Sequence, residues 1–269
     1  MFPLYTASFP SSASDLERLL NHSLQSIFSV EADPVSIRDA SYPRLEEIRV
    51  LLDGARVRPN PPRPPSISGK ISPALQVDRL SLSALALSVG PATIDLSLSA
   101  RTVNFAQGKD SHDQVVLSLD NAADGNIEIS TAQTDLEALI MELAQNQASK
   151  QGITIDGVQL KLRRENAHSL AAEVHLRARK LFLSASIHVT GQLDLGDQLN
   201  LKISGLNCTG GGAIASLACG ILAPYLRKID GRKFPLMSLP LGKVRLRDVR
   251  LAIDENLTIT AEFGSGEAA

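Results

Sequence analysis

The chain has 269 residues, of which 43% are apolar and 21% are charged, and its formal net charge is −2. This composition is typical of a globular protein and excludes a disordered chain. The near-neutral charge argues against a nucleic-acid partner, because binding to a phosphate backbone requires a basic surface. Aromatic residues amount to 4% and tryptophan is absent, so stacking platforms for bases or sugars are scarce.

The first predicted element is a helix over residues 14–28. Leucine and isoleucine recur in it at i, i+3 and i+4 spacing, which places them on one face. Ser14 followed by Glu17 is typical of a capping box, so Ser14 is the predicted N-cap. Pro34 prevents the helix from continuing much further.

Strands dominate the sequence from there to about residue 130. Residues 45–57 predict a strand, and the proline-rich segment 59–65 predicts a surface loop because proline has no N–H to contribute to a sheet. Apolar residues then alternate with serine, alanine and charged residues, which indicates strands with one buried face. Turns are predicted at Gly90-Pro91, at Gly108 and at Asp124-Gly125.

A second helix is predicted over 134–149, with Thr134 and Glu137 as a second capping box and Gly152 as its stop. Alternating strands follow, with a hairpin turn at Gly196-Asp197. A third helix is predicted over 212–229, with a kink or an early end at Pro224. Two final strands are joined by a turn at 254–256, and a change of parity predicts a bulge near Arg247-Asp248.

Domain organisation and cysteine state follow from the same pattern. The two helix-opening segments 14–20 and 134–140 are similar, so the single elongated domain over 1–269 has two possible pseudo-repeats, about 14–131 and 133–263. Cys208 and Cys219 fit no zinc or CxxC spacing. We expect two free, buried thiols near one helix, although a disulfide between them cannot be read from the sequence.

Candidate catalytic and metal sites are weak. Ser111-His112-Asp113 are adjacent and so cannot form a catalytic triad, whose members must converge from separate places. Glu173 and His175 share a strand face, and a metal site there would need a third ligand such as His188. A solvated polar face explains these residues more simply. We therefore predict no enzymatic activity, no cofactor and no metal.

The strand pattern predicts more apolar surface than three helices can cover, and a curled sheet lined by aliphatic residues tends to leave a groove. We predict an α+β, β-dominated fold that binds an apolar ligand, and the alternative is a structural or interaction module with a filled core. The predicted groove-lining residues lie on the longest alternating strand and on the second and third helices. They are Leu181, Leu183, Ile187, Val189, Leu139, Leu143, Ile214, Leu217 and Ile221.

The C-terminal segment 230–263, with Ser238-Leu239-Pro240-Leu241-Gly242 after the third helix, resembles the LmeA-like phospholipid-binding family of bacterial proteins. The order of helices and strands is similar over nearly the whole chain. The resemblance implies a relation to the tubular lipid-binding (TULIP-like) proteins, in which a strongly twisted antiparallel sheet wraps around long amphipathic helices. It also implies a phospholipid or fatty-acyl ligand, for lipid transfer or membrane maintenance, and peripheral contact with a membrane.

The sequence shows neither a basic segment followed by an apolar stretch at its start nor an apolar stretch long enough to span a membrane. We therefore predict a cytoplasmic or peripheral membrane location.

Overall fold

The computed structural model describes residues 1–63, 65–180, 183–195, 200–235 and 246–264. Strands dominate these residues, and three α-helices are present among them. The helices are α1 (Ala13–Ile27), α2 (Gln133–Ala148), which continues into a 3₁₀ turn at Ser149–Gln151, and α3 (Ala213–Ile229). The predicted helices therefore exist within one residue of their predicted ends, and the β-dominated α+β class is confirmed.

The strands form two sheets. Eight strands precede α2: β1 (Phe2–Pro3), β2 (Phe28–Ser29), β3 (Val35–Ser41), β4 (Arg44–Leu51), β5 (Arg56–Val57), β6 (Ser68–Val89), β7 (Ala92–Lys109) and β8 (Val115–Ala132). Five strands follow it: β9 (Thr154–Asn166), β10 (Ser169–Lys180), β11 (Leu183–Leu195), β12 (Asn200–Gly210) and β13 (Lys233–Pro235). The last two are β14 (Leu246–Ile253) and β15 (Asn256–Phe263).

The first sheet has the order β14-β15-β8-β7-β6-β4-β3, with β1, β2 and β5 attached at its margins, and the second has the order β13-β12-β11-β10-β9. All pairings are antiparallel except β4–β6 and β5–β6. The β4–β6 pairing is parallel, so these two strands run in the same direction. The mainly antiparallel sheet predicted from alternation is confirmed.

The first sheet and α1 enclose the larger core. Leu16, Leu20 and Leu24 of α1 are buried against this sheet, and Phe263 and Val77 are among its most completely buried side chains. The N-cap of α1 is Ser12, whose hydroxyl accepts from the Asp15 amide, so the prediction that Ser14 caps this helix is wrong. Ser12 is in extended backbone and Ser14 is already within the helix.

The turn predicted at Asp124-Gly125 is also wrong, since β8 runs through both residues. A Cβ at Gly125 would lie 2.3 Å from the Phe263 ring. The glycine therefore makes room for a core aromatic residue in the paired strand, a role that glycine often has inside strands. Gly108 likewise lies inside β7, against Ile67, and the turn follows it at residues 110–114.

Other predicted breaks agree with the structure. Gly90 has a positive φ between β6 and β7, and Gly152 ends the 3₁₀ turn with φ 65°. The register of β14 against β15 shifts between Leu246 and Asp248, which confirms the predicted bulge. Thr134 does not cap α2, because the N-cap is Ala132. Pro224 lies inside α3 and does not end it. The turn at Gly196-Asp197 and the segment 238–242 lie outside the described residues.

The turn between β9 and β10 joins the two sheets. The Leu251 amide donates to the Ala167 carbonyl at 3.0 Å, and His168 Nδ1 lies 3.1 Å from the Val249 carbonyl oxygen. The second sheet has its own smaller core, in which Ile187 and Leu176 of the sheet are buried together with Ala215 of α3. The candidate site lies in this second unit.

Candidate functional site

An apolar groove lies between α2 and α3 on one face of the second sheet. Its floor follows from strand register: Val174 is opposite Val189 and Leu176 is opposite Ile187 in the β10–β11 pair. Residues two apart in a strand share a face, so these four side chains form one apolar patch. Ile187 is 2% exposed, which places it at the bottom of the groove.

The two helices form the walls. The α2 wall consists of Ile140, Leu143, Ala144, Gln147 and Ala148, and the α3 wall of Ala218, Ile221, Leu222, Tyr225 and Leu226. Each set recurs at the i, i+3, i+4 spacing of one helix face. Lys150, Ile153 and Ile155 complete the lining at the end of α2.

The groove is an open cavity of about 570 Å³. That volume lies within the roughly 300–1,000 Å³ typical of small-molecule sites. Its lining is apolar except for Gln147, Lys150 and the Tyr225 hydroxyl. Lys150 Nζ donates to Gln147 Oε1 at 3.2 Å, so the cation is held at the rim. The groove thus combines a long apolar surface with one positive charge at its edge.

The packing of α2 shows that the groove is not filled by side chains. No residue of α2, which is described throughout, is fully buried, whereas five residues of α1 are buried against the first sheet. Leu143 is 59% exposed although it lines the groove. The helix is therefore held over the sheet at a distance that leaves apolar surface open.

Side-chain hydrogen bonds to the sheet edge set this distance. Glu137 Oε1 accepts from the Leu160 amide and Gln145 Oε1 from the Ile155 amide, each at 2.7 Å. Both amides belong to β9, an edge strand that otherwise presents unpaired groups. Glu17 of α1 makes the corresponding contact to the Ile37 amide of the edge strand β3.

Glu17 and Glu137 thus bond to neighbouring strands and do not form the predicted capping boxes. Each lies in the first turns of its helix but reaches a neighbouring strand rather than its own N-cap. The same kind of contact thus occurs at two positions that are 120 residues apart. The pseudo-repeat stays a prediction. The symmetry is incomplete, because β14 and β15 join the first sheet.

The structure brings four of the nine predicted residues into the groove. They are Ile187, Val189, Leu143 and Ile221. Leu181 and the side chain of Ile214 lie outside what the structure describes.

Leu139 and Leu217 do not line the groove, although each stands one helical turn before a lining residue, Leu143 and Ile221 respectively. Leu217 is 49% exposed. Leu183 also lies outside the groove: it is the first residue of β11, opposite Lys180 at the strand end, and is 63% exposed.

Cys208 and Cys219 form a disulfide, so the prediction of free thiols is wrong. Cys208 lies on β12 and Cys219 on α3, and their Cα atoms are 5.5 Å apart, a separation typical of paired cysteines. The reason is the packing of α3 directly on β12, which the spacing of eleven residues does not reveal. The bond attaches the α3 wall to the sheet.

The groove-lining residues missed by sequence reasoning include Val174 and Leu176 of β10, the small residues of the helices, and several larger apolar residues such as Ile140 and Leu222. The pairing of Val174 and Leu176 with Val189 and Ile187 depends on strand order. Ala144 and Ala218 carry no apolar signal strong enough to mark a ligand site. Tyr225 is the aromatic residue of the lining.

The polar clusters named from the sequence lie elsewhere. Ser111, His112 and Asp113 form an exposed turn between β7 and β8, with 3.4 Å between Ser111 Oγ and His112 Nδ1. Glu173, His175 and His188 do meet, on the opposite face of the second sheet from the groove.

No protein-family model matches the sequence, and no characterised protein or solved structure is significantly similar to it. The resemblance to the LmeA-like family therefore stays a prediction. Among the described residues, no helix combines the length and the apolar character needed to cross a bilayer.

Proposed function

We propose that the protein binds the acyl chain of a lipid in the groove between α2 and α3, without catalysis. The observation that carries the proposal is an open cavity whose floor is aliphatic and whose two walls are predominantly apolar. Open apolar surface of this kind lacks dispersion partners in the free protein. An acyl chain would supply them and remove the surface from water.

The gain is large enough for useful affinity. Each methylene buried contributes roughly 0.8 kcal/mol, so eight to ten methylenes contribute about 6–8 kcal/mol before the costs of association. The cavity of about 570 Å³ is in the size range of sites for such ligands. A fatty acid or one chain of a phospholipid fits this description.

Lys150 favours a lipid with an anionic group. Its ammonium lies at the rim beside Gln147, where it can contact a carboxylate or phosphate while the chain occupies the groove. Placing the charged group at the rim avoids the cost of burying it. We therefore propose a fatty acid or an anionic phospholipid as the ligand, as the family resemblance also implies.

A peripheral position at a membrane accompanies this proposal. The exposed apolar residues Tyr225 and Ile229 lie on α3 next to the groove, at 63% and 37% exposure. They would rest in the lipid interface while a chain transfers. The disulfide favours an oxidising compartment over the cytoplasm. TULIP-like wrapping of a sheet around the helices belongs to the same proposal.

The alternative is a non-catalytic interaction module in which α3 docks a partner protein. The exposed fraction of Leu217, 49%, favours it, because this side chain lies outside the groove. Lipid binding depends on the residues that line the groove, whereas docking of a partner protein depends on exposed residues outside it such as Leu217.

The test uses two matched substitutions in a fluorescent fatty-acyl binding assay. Leu143→Asp places a charge at the groove, and Leu217→Asp places the same charge on a similarly exposed leucine outside it. We expect Leu143→Asp to weaken probe binding at least tenfold and Leu217→Asp to leave it within twofold. Equal effects of both variants, or no uptake by the wild type, would refute the proposal.

A further inference from the structure

The outer face of the second sheet carries a cluster of metal-ligand side chains directly behind the groove. His175 of β10 and His188 of β11 are opposite each other in register, and Glu173 precedes His175 by two residues on the same face. Their neighbours in sequence, Val174, Leu176, Ile187 and Val189, point the other way into the groove. The cluster and the groove are thus separate sites on one pair of strands.

The ligand atoms converge. His175 Nε2 and His188 Nε2 lie 3.9 and 3.8 Å from Glu173 Oε2, and the three candidate ligand atoms are all within 4.8 Å of one another. The two imidazole rings stack with 4.1 Å between their centroids. Both imidazole side chains are partly exposed at the surface of the sheet.

The two imidazole nitrogens lack partners in the part of the chain that is described. Both Nε2 atoms are inaccessible to water and make no hydrogen bond there. Their distances to Glu173 are too long for hydrogen bonds. A buried polar atom without a partner is costly, so its presence needs a reason.

We propose that Glu173, His175 and His188 bind a Zn²⁺ ion. Two imidazole nitrogens and one carboxylate oxygen are a common zinc ligand set, at about 2.0–2.2 Å from the metal. In a tetrahedral site these atoms are roughly 3.4 Å apart and both imidazole lone pairs point at the metal. The stacked rings, whose planes are 16° apart, must therefore rotate out of their stacked arrangement when the ion binds. A water molecule fills the fourth position from the solvent side.

The surrounding charges moderate the affinity. Lys161 of β9 is opposite Glu173 in register, and Arg177 follows His175 by two residues on the same face. Gln159 and Thr209 are opposite His175 and His188 and are neutral. The two cations oppose a divalent ion, so we expect micromolar rather than nanomolar binding, and we expect Lys161→Gln to tighten it.

The test is calorimetric titration of the untagged, chelator-treated full chain with Zn²⁺. We expect one ion per chain, with at least tenfold weaker binding in His188→Gln and in Glu173→Gln. His112→Gln, in an exposed turn far along the sequence from the cluster, is the matched control and should bind like the wild type. Far-UV circular dichroism confirms that each variant is folded.

Three results would overturn the proposal: no zinc binding by the wild type at micromolar concentrations, binding unchanged in folded His188→Gln, or equal loss in His112→Gln. A thermal shift on adding Zn²⁺ provides a second readout, because an ion that binds only the native state raises the melting temperature. We expect the shift in the wild type and its absence in His188→Gln. The result is independent of lipid binding.

Discussion

Replacing Ala144 with phenylalanine would distinguish an open groove from a filled core. Ala144 lines the groove from α2 and is partly buried. A benzyl group there would extend into the cavity without adding charge. If the groove is open, the ring fills part of it; if the core is packed, the ring must displace neighbours.

We expect Ala144→Phe to change the free energy of unfolding only slightly and to weaken binding of an acyl probe strongly. Burying about half of a phenylalanine side chain gains about 1 kcal/mol, and the lower helix propensity costs roughly 0.5 kcal/mol. The free energy of unfolding should therefore change by less than about 1 kcal/mol. The ring occupies the space of about three methylenes, worth about 2.4 kcal/mol of binding, or roughly a fiftyfold loss of acyl-probe affinity.

Ala215→Phe is the matched control on α3. Ala215 is fully buried, and its Cβ would lie only 2.6 Å from a Cβ added at Gly210. No space therefore exists there for a ring. Overpacking of this kind costs about 1–3 kcal/mol or more. Urea titrations measure stability and probe titration measures affinity. A loss of stability in Ala144→Phe as large as in Ala215→Phe, with unchanged probe binding, would refute the open groove.

Three further predictions concern the disulfide, acid stability and the rim charge. Cys208 and Cys219 should resist alkylation when the protein is denatured without a reductant, and full alkylation would contradict their pairing. Cys219→Ser should lower the free energy of unfolding by about 2–3 kcal/mol, because the disulfide closes a loop that restricts the unfolded chain. The Ser169 hydroxyl donates to the Asp194 carboxylate at 2.7 Å and lowers the pKa of that carboxyl. The ionised Asp194 therefore stabilises the folded protein at any pH above the pKa that this carboxyl has in the unfolded chain. This stabilisation is lost as the pH falls through the lower pKa that Asp194 has in the folded protein. Ser169→Ala should therefore reduce stability at neutral pH more than at pH 2, as measured by urea titration at both pH values, and equal losses would contradict this linkage. In parallel titrations, Lys150→Gln should weaken binding of an anionic acyl probe about three- to tenfold and leave binding of a neutral probe unchanged. Equal weakening of both probes would show that the Lys150 charge does not contact the anionic group.

Local elements were predictable from the sequence because their causes are local. The spacing of leucines in 14–28 and 134–149 fixes two helices, and Gly90 and Gly152 mark real breaks because the backbone there has positive φ. Alternation likewise identified which face of β11 is apolar. Ile187 and Val189 of this strand are accordingly two of the four predicted residues that line the groove.

What failed depends on tertiary contacts. Gly125 looked like a turn residue because nothing in the sequence shows that Phe263 packs on it. Glu17 and Glu137 looked like capping residues because their actual partners, the amides of edge strands, lie 20 and 23 residues away. Leu217 was placed on the wrong side of α3 because the apolar stripe of this helix is broad, and only packing selects the side that faces the sheet.

Native mass spectrometry of the protein, purified without detergent or added lipid, tests acyl-chain binding in the groove most directly. We expect a population carrying one extra mass that corresponds to a fatty acid or an anionic phospholipid, and we expect this population to be lost in folded Ala144→Phe. A wild-type spectrum containing the bare chain alone, together with no uptake when a fatty acid is added in excess, would contradict acyl-chain binding.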